Sequence, residues 1–126
     1  AGALPQWFAD RLGWPELSRR IGLLHQAMPA DTVVLAGNYG IAGALEHFTN
    51  LPVVSPHNAY HDWARPELLQ TRSILLIGAD PDRVRPYCEP DPISVVEIPH
   101  RNPILVLHCK LDRDLGSIWK ELVFFL

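Results

Sequence analysis

The sequence is short of three things: cysteine, basic charge and long apolar runs. Two cysteines in 126 residues are too few for a disulfide framework or a cysteine-rich zinc site. The 11 basic residues against 14 acidic ones leave a net charge of -3, which argues against nucleic acid as a partner. No apolar run approaches the roughly 20 residues that cross a bilayer. We therefore expect a single soluble domain over residues 1–126.

The two cysteines, Cys88 and Cys109, leave two interpretations open. Cys109 lies at the end of an apolar run, where cysteine behaves as a small hydrophobic residue. A bridge between them would need a specific Cα separation, which a sequence does not fix. The sequence therefore favours two buried thiols over a disulfide.

The N-terminal part of the chain has the spacing of a helix. Apolar residues recur at intervals of three and four from Pro5 to Met28, which predicts an amphipathic helix that Gly13 and Pro15 divide in two. Three further helices are predicted, at Tyr39–Phe48, at 81–88 behind an Asp80 cap, and at 117–126.

Five short β-branched or aliphatic runs, each bounded by turn residues, predict five strands. They are residues 32–36, 53–55, 73–77, 94–98 and 104–108. Strands that alternate with helices favour an α/β fold with a mostly parallel, Rossmann-like sheet and helices on both faces. The link 99–103 is too short for a helical crossover, so the last two strands are expected to pair antiparallel or to lie apart at an edge.

A glycine-bearing turn follows the first strand. Gly37, Gly40 and Gly43 are spaced G-x-x-G-x-x-G, at a junction where backbone N–H groups and a helix N-terminus can bind an anion. The spacing differs from the G-x-G-x-x-G of dinucleotide sites. The favoured interpretation is structural: Gly37 and Gly40 permit a tight turn, and Gly43 permits close packing of helix on sheet.

Polar and aromatic residues follow the first two strands and form the candidate ligand-binding set. Because ligands gather at the carboxyl ends of parallel strands, we expect these residues to share one rim. Amide, imidazole and aromatic groups suit a sugar or a polar small molecule. A loop whose aromatics close the core is the structural alternative. The candidates are Gly37, Asn38, Tyr39, Gly40, His57, Asn58, Tyr60 and Trp63.

Catalytic and metal-binding motifs are scarce. The chain has no G-x-S-x-G elbow and no P-loop. His57, His61 and Asp62 lack the third histidine that would favour a metal site. His25, Glu46 and His47 are interpreted as surface or satisfied groups. The sequence therefore nominates no catalytic residue, no metal and no cofactor.

A family resemblance spans most of the chain. It is carried by residues 4–14, by Ala36-Gly37-Asn38-Tyr39-Gly40 with Ala42-Gly43-Ala44, by 56–63, by 102–110 and by 118–122. In these segments the chain resembles the C-terminal soluble domain of bacterial membrane proteins of glycosyltransferase family 39, the dolichyl-phosphate-mannose-protein mannosyltransferase-like group. Where such domains look like Gly-His-Asn-Ser-Tyr, this chain has Pro56-His57-Asn58-Ala59-Tyr60.

The resemblance implies a parent protein with many transmembrane helices that transfers a sugar from a polyprenyl-phosphate donor. Its catalytic acids would lie in the membrane part, so this chain would be a non-catalytic periplasmic domain. Its partners would be the transmembrane part of the same polypeptide and a glycan or polyprenyl-phosphate sugar. Two alternatives stay open: a free-standing nucleotide- or phosphate-binding α/β module, and a structural interaction domain with an apolar 123–126 end.

Overall fold

The computed structural model describes residues 6–37, 39–55, 66–98 and 102–122, with side chains from Gly13 onward. Within this part of the chain, three α-helices and five strands form one α/β unit. The helices are α1 (Gln6–Gln26), α2 (Tyr39–Phe48) and α3 (Leu115–Leu122). The strands are β1 (Val33–Ala36), β2 (Val53–Val54), β3 (Ser73–Ile77), β4 (Asp91–Val96) and β5 (Ile104–Lys110). Short 3-10 helices lie at Pro66–Gln70 and Pro81–Arg83.

The sheet is mixed, with the strand order β2-β1-β3-β5-β4. Strand β1 pairs parallel with β2 and β3, whereas β5 pairs antiparallel with β3 and β4. The prediction of a mostly parallel, Rossmann-like sheet is therefore wrong. The short link between β4 and β5 cannot carry a helical crossover, so these two strands pair antiparallel as expected; because β5 also pairs antiparallel with β3, only two of the four pairings are parallel.

Helix α1 is continuous over 21 residues and contains Pro15. The predicted division at Gly13 and Pro15 is wrong. An internal proline costs a helix roughly 3 kcal/mol because it removes a hydrogen bond. Leu17 and Ile21, which follow it, are fully buried, and each contributes roughly 1.5–3 kcal/mol of burial free energy. Tertiary packing thus offsets the local cost.

Helices cover both faces of the sheet. Alternate side chains of a strand point to opposite faces, so Val34 and Leu75 pack under α1 and α2, and Val33 and Ile74 pack under α3. Strands β1 and β3 are buried along their whole length. They form the centre of the unit.

The connection from β3 to β4 crosses the α3 face. It opens with Asp80, whose Oδ1 accepts from the Asp82 backbone N–H at 2.9 Å, and it buries Val84 completely. The predicted helix 81–88 is shorter than expected, a 3-10 helix at Pro81–Arg83 followed by turns.

A disulfide joins Cys88, at the end of this connection, to Cys109 on β5, with a Cα–Cα distance of 5.8 Å. The expectation of two buried thiols is wrong. Cys109 stands opposite Ile74 of β3 in the sheet, so the bridge ties the connection down near the amino end of β3. No described helix is long and apolar enough to cross a membrane.

Strand β4 lies at the edge of the described sheet and is irregular. Its register with β5 shifts between Pro92 and Ser94. Val95, 54% exposed, stands opposite Leu105, 41% exposed. Outward-facing apolar side chains therefore occur at this end of the sheet.

Candidate functional site

The carboxyl ends of β2, β1 and β3 lie side by side, and we call this edge of the sheet the rim. Ser55, Gly37 and Gly78 follow these three strands in turn, and α2 begins here at Tyr39. The structure thus places Gly37, Tyr39 and Gly40 from the candidate set at the carboxyl ends of parallel strands, where ligands commonly bind.

Gly37 is in direct backbone contact with the loop that follows β3. Its N–H donates to the Ile77 carbonyl at 2.9 Å. A Cβ at Gly37 would overlap the Gly78 carbonyl and lie 2.8 Å from the Cα of Ala79. Glycine is therefore required at this position for two chain segments to pack together.

Gly78 completes this contact. Its φ of 63° lies in the left-handed region that favours glycine, and its N–H donates to the Leu105 carbonyl at 3.3 Å. A Cβ here would lie 2.7 Å from Cδ1 of Ile41 in α2. Backbone atoms thus fill the space between the ends of β1 and β3. Gly78 was not among the residues predicted from the sequence, although a glycine directly after a buried strand was the available signal.

Gly43 does not behave as predicted. A Cβ at this position would meet no atom within 4 Å apart from the backbone of its own helix. The prediction that Gly43 permits close packing of α2 on the sheet is therefore wrong. The space beside it could hold an alanine.

The rest of the candidate set is only partly described. Five members of the candidate set lie outside the described residues: Asn38, His57, Asn58, Tyr60 and Trp63. The same holds for His61 and Asp62. Tyr39 is 46% exposed at the start of α2. Ser55 is fully buried, and its hydroxyl has no hydrogen-bond partner among the described residues. The described part of the rim therefore has two polar groups beside the contact of Gly37 with Gly78: the exposed phenol of Tyr39 and the buried hydroxyl of Ser55.

A second polar group lies at the opposite end of β1 and β3, and we call it the polar chain: His25, Thr32, Ser73 and His108. The Thr32 and Ser73 hydroxyls are 2.6 Å apart, and Ser73 Oγ is 2.9 Å from His108 Nε2. His25 Nε2 donates to the Thr32 carbonyl at 2.7 Å. The polar chain thus connects α1, the residue before β1, and strands β3 and β5.

A serine beside a histidine is the geometry of an activated nucleophile. Here the Ser73 hydroxyl is also held by Thr32, and Ser73 is only 5% exposed. A buried hydroxyl with partners on both sides is typical of a satisfied structural network. The polar chain therefore supports the sheet and gives no evidence of catalysis.

The polar chain continues into the loop before β3. The Ser73 N–H donates to Thr71 Oγ1 at 3.0 Å, and that hydroxyl in turn lies 3.2 Å from Asp31 Oδ2. The polar chain was not predicted because its members are far apart in sequence. The signal available was a hydroxyl residue at or just before each of two buried strands, Thr32 and Ser73.

The groups with shifted pKa values lie outside the rim and the polar chain. Hydrogen bonds from Arg19 and Arg20 lower the pKa of Glu16 to about 2. A hydrogen bond from Arg113 lowers the pKa of Asp112, and the Arg113 guanidinium lies 5.2 Å from the Tyr87 ring centre. Shifted groups often mark catalytic sites, but these are exposed ion pairs on the surface.

Within the described ranges, no group of three or more His, Cys, Asp or Glu side chains could hold a metal ion. Comparisons of the chain with protein-family models, with curated proteins and with solved structures found no match.

Proposed function

We propose that this chain is a non-catalytic, extracytoplasmic domain of a polytopic membrane glycosyltransferase that uses a polyprenyl-phosphate sugar donor. The resemblance of residues 4–14, 36–40 and 56–63 to family 39 supports the proposal. The observation that carries the location is the Cys88–Cys109 disulfide. Disulfides form and persist in oxidising compartments such as the bacterial periplasm and are rare in the cytosol.

In this proposal, the rim helps to recognise the donor or the acceptor. Tyr39 supports the role because an exposed aromatic ring can cover the C–H face of a sugar. The predicted residues Asn38 and His57 would supply hydrogen bonds to hydroxyl or phosphate groups. The transmembrane part of the same polypeptide would supply the catalytic acids.

The alternative of a free-standing phosphate-binding module has less support. The contact between Gly37 and Gly78 explains the first glycine of the turn without any ligand. In addition, the Gly78 carbonyl oxygen lies against Gly37, and an oxygen with partial negative charge disfavours an anion close by.

The extracytoplasmic location can be tested by alkylating free thiols in cells that express the full-length protein. Because Cys109 is fully buried in the fold, the cells are denatured in the presence of a membrane-permeant maleimide, and Cys88 and Cys109 are examined by mass spectrometry with and without prior reduction. We expect both to escape labelling unless a reductant is added first. The same domain expressed in the cytoplasm serves as the control. Labelling of both thiols in the native location without reductant would remove the support for an extracytoplasmic domain.

The recognition role can be tested by sugar transfer in the full-length protein. We expect Asn38→Ala with His57→Ala to lower transfer while the amount of protein and its disulfide stay unchanged. Glu97→Gln, an exposed change beyond β4, is the control and should leave transfer intact. Normal transfer by the double variant would contradict the recognition role and leave a scaffold role.

A further inference from the structure

The side chains of Thr32, Ser73 and His108 share two hydrogen bonds within the polar chain. Among the described residues, the Thr32 hydroxyl contacts only Ser73 Oγ, at 2.6 Å, and Ser73 Oγ also contacts His108 Nε2, at 2.9 Å. The neighbouring Thr71 hydroxyl binds the N–H and the carbonyl of Ser73, not its side chain. Thr32 is fully buried and Ser73 is 5% exposed. Each hydroxyl hydrogen must therefore find its acceptor within the polar chain.

Only one direction of donation satisfies both hydroxyl groups. If Thr32 donates to Ser73, and Ser73 donates to His108 Nε2, two hydrogens make two bonds and none is left over. If His108 Nε2 carries a hydrogen, it donates to Ser73, and the hydrogen of one hydroxyl then has no acceptor. The same loss follows if His108 turns away from Ser73. A buried donor without an acceptor is disfavoured by roughly 5-fold to 150-fold.

The second histidine of the polar chain is bonded in the opposite sense. His25 Nε2 donates to the Thr32 carbonyl at 2.7 Å. Neutral and protonated imidazole can both donate, so protonation of His25 preserves its bond. Protonation of His108 instead places a hydrogen on the nitrogen that must accept from Ser73. Acid thus acts on one histidine of the polar chain and spares the other.

The charged groups around His108 are exposed and of both signs. Asp91 of β4 stands opposite His108 in the sheet, and Lys110 follows it on the same face of β5. Asp31 is an exposed carboxylate before β1, and strand β3 has no charged residue. Asp91 favours a protonated His108 and Lys110 opposes it, and solvent screens both. The supply of hydrogens to the two buried hydroxyls therefore decides the direction.

We propose that the polar chain is a pH-sensitive latch: neutral His108 holds the Ser73 and Thr32 hydroxyls, and protonation of His108 releases them. The latch joins α1 to β3 and β5, so acid loosens the amino end of the sheet. Because imidazole gains its proton between about pH 8 and pH 5, the release occurs on acidification through this range. Neutral His108 carries its hydrogen on Nδ1. This inference does not depend on the proposed glycosyltransferase role.

The first test is the position of the imidazole hydrogens. Long-range proton–nitrogen NMR spectra of the labelled chain at about pH 8 show which ring nitrogen is protonated. We expect Nδ1–H for His108 and Nε2–H for His25 in the same spectrum. An Nε2 hydrogen on His108 would overturn the proposal. This test uses the wild-type chain, so it does not depend on the folding of any variant.

The second test compares urea denaturation at about pH 8 and about pH 5. At the lower pH, the stabilising effect of Glu16 is still complete, because its pKa is lowered to about 2. His108→Gln keeps an oxygen that accepts from Ser73 but has no proton to gain. On acidification, we expect the unfolding equilibrium constant to rise about tenfold less in this variant than in wild type.

His25→Gln is the matched control for the second test. Because His25 keeps its bond in both charge states, this variant should lose at least as much stability on acidification as wild type. An equal loss in His108→Gln and wild type would contradict the latch. So would a smaller loss in His25→Gln than in His108→Gln, which would assign the acid sensitivity to the other histidine.

Discussion

The two ends of the parallel strands are closed in different ways. At the rim, the backbones of Gly37 and Gly78 pack directly against each other. At the amino end, side chains make the connections, through Thr32, Ser73 and His108, and a cavity remains beside them. Open sheets of parallel strands usually bind ligands at their carboxyl ends. In this mixed sheet, the reversed strand β5 adds His108 to the polar side chains at the amino end.

The largest expected effect is at the rim. Gly37→Ala forces a Cβ into the Gly78 carbonyl, and we expect it to lower the free energy of unfolding by more than about 3 kcal/mol, because the overlapping atoms belong to the backbone. Gly43→Ala is the matched control, because its Cβ has space within α2; it should raise stability by about 0.5–1 kcal/mol. Urea denaturation measures both. A Gly37→Ala protein as stable as wild type would contradict the backbone contact.

The disulfide provides the next test, now near the amino end. The double variant Cys88→Ala, Cys109→Ala removes a bridge with a sequence separation of 21, and we expect it to lower the free energy of unfolding by about 3 kcal/mol. Reduction of wild type should cause a similar loss, whereas the same reductant should leave the double variant unchanged. If neither treatment alters the denaturation midpoint, the bridge does not support this end of the sheet.

A smaller effect is expected in the polar chain. Ser73→Ala leaves the buried Thr32 hydroxyl and His108 Nε2 without their common partner, which should cost about 2 kcal/mol. Ser117→Ala removes an exposed hydroxyl that donates to the Asp114 carbonyl and should cost about 0.5 kcal/mol or less. Thermal and urea unfolding compare the two. Equal losses would mean that the polar chain contributes no more than a surface hydrogen bond.

The smallest effect concerns α1, away from both ends. The pKa of Glu16 is lowered from 4.5 to about 2 by hydrogen bonds from Arg19 and Arg20, so its stabilising effect is complete above about pH 4.5 and is lost as the pH falls toward about 2. The pH dependence of unfolding in this window should be weaker in Glu16→Gln than in wild type. Identical pH profiles would show that solvent screens these exposed ion pairs completely.

The local elements were largely predictable from sequence, and the sheet was not. Strand β3 and helix α2 have the predicted bounds because each combines a clear apolar pattern with turn residues at its ends. Strand β4 begins at Asp91, three residues earlier than predicted. Asp91 and Pro92 are of residue types that disfavour strands, but an edge strand tolerates proline.

The sites depended on contacts that sequence patterns do not contain. Thr32 and Ser73 are 41 residues apart, and Ser73 and His108 are 35 apart. Their approach requires the strand order, which local periodicity does not reveal. The disulfide was missed for the same reason, because Cys109 reaches Cys88 only when β5 lies beside β3. The ligand-binding role stays a prediction for five candidates: Asn38, His57, Asn58, Tyr60 and Trp63.

The position of β5 also affects how the chain can fold during synthesis. Strand β5 lies between β3 and β4, although both precede it in sequence. In the described sheet, β4 pairs only with β5, so β4 must wait for the last quarter of the chain to be made. Until then, one side of β3 is an open edge, and unpaired edges promote association with other chains. A nascent chain that stalls before Ile104 would therefore be prone to aggregation and would depend on chaperones.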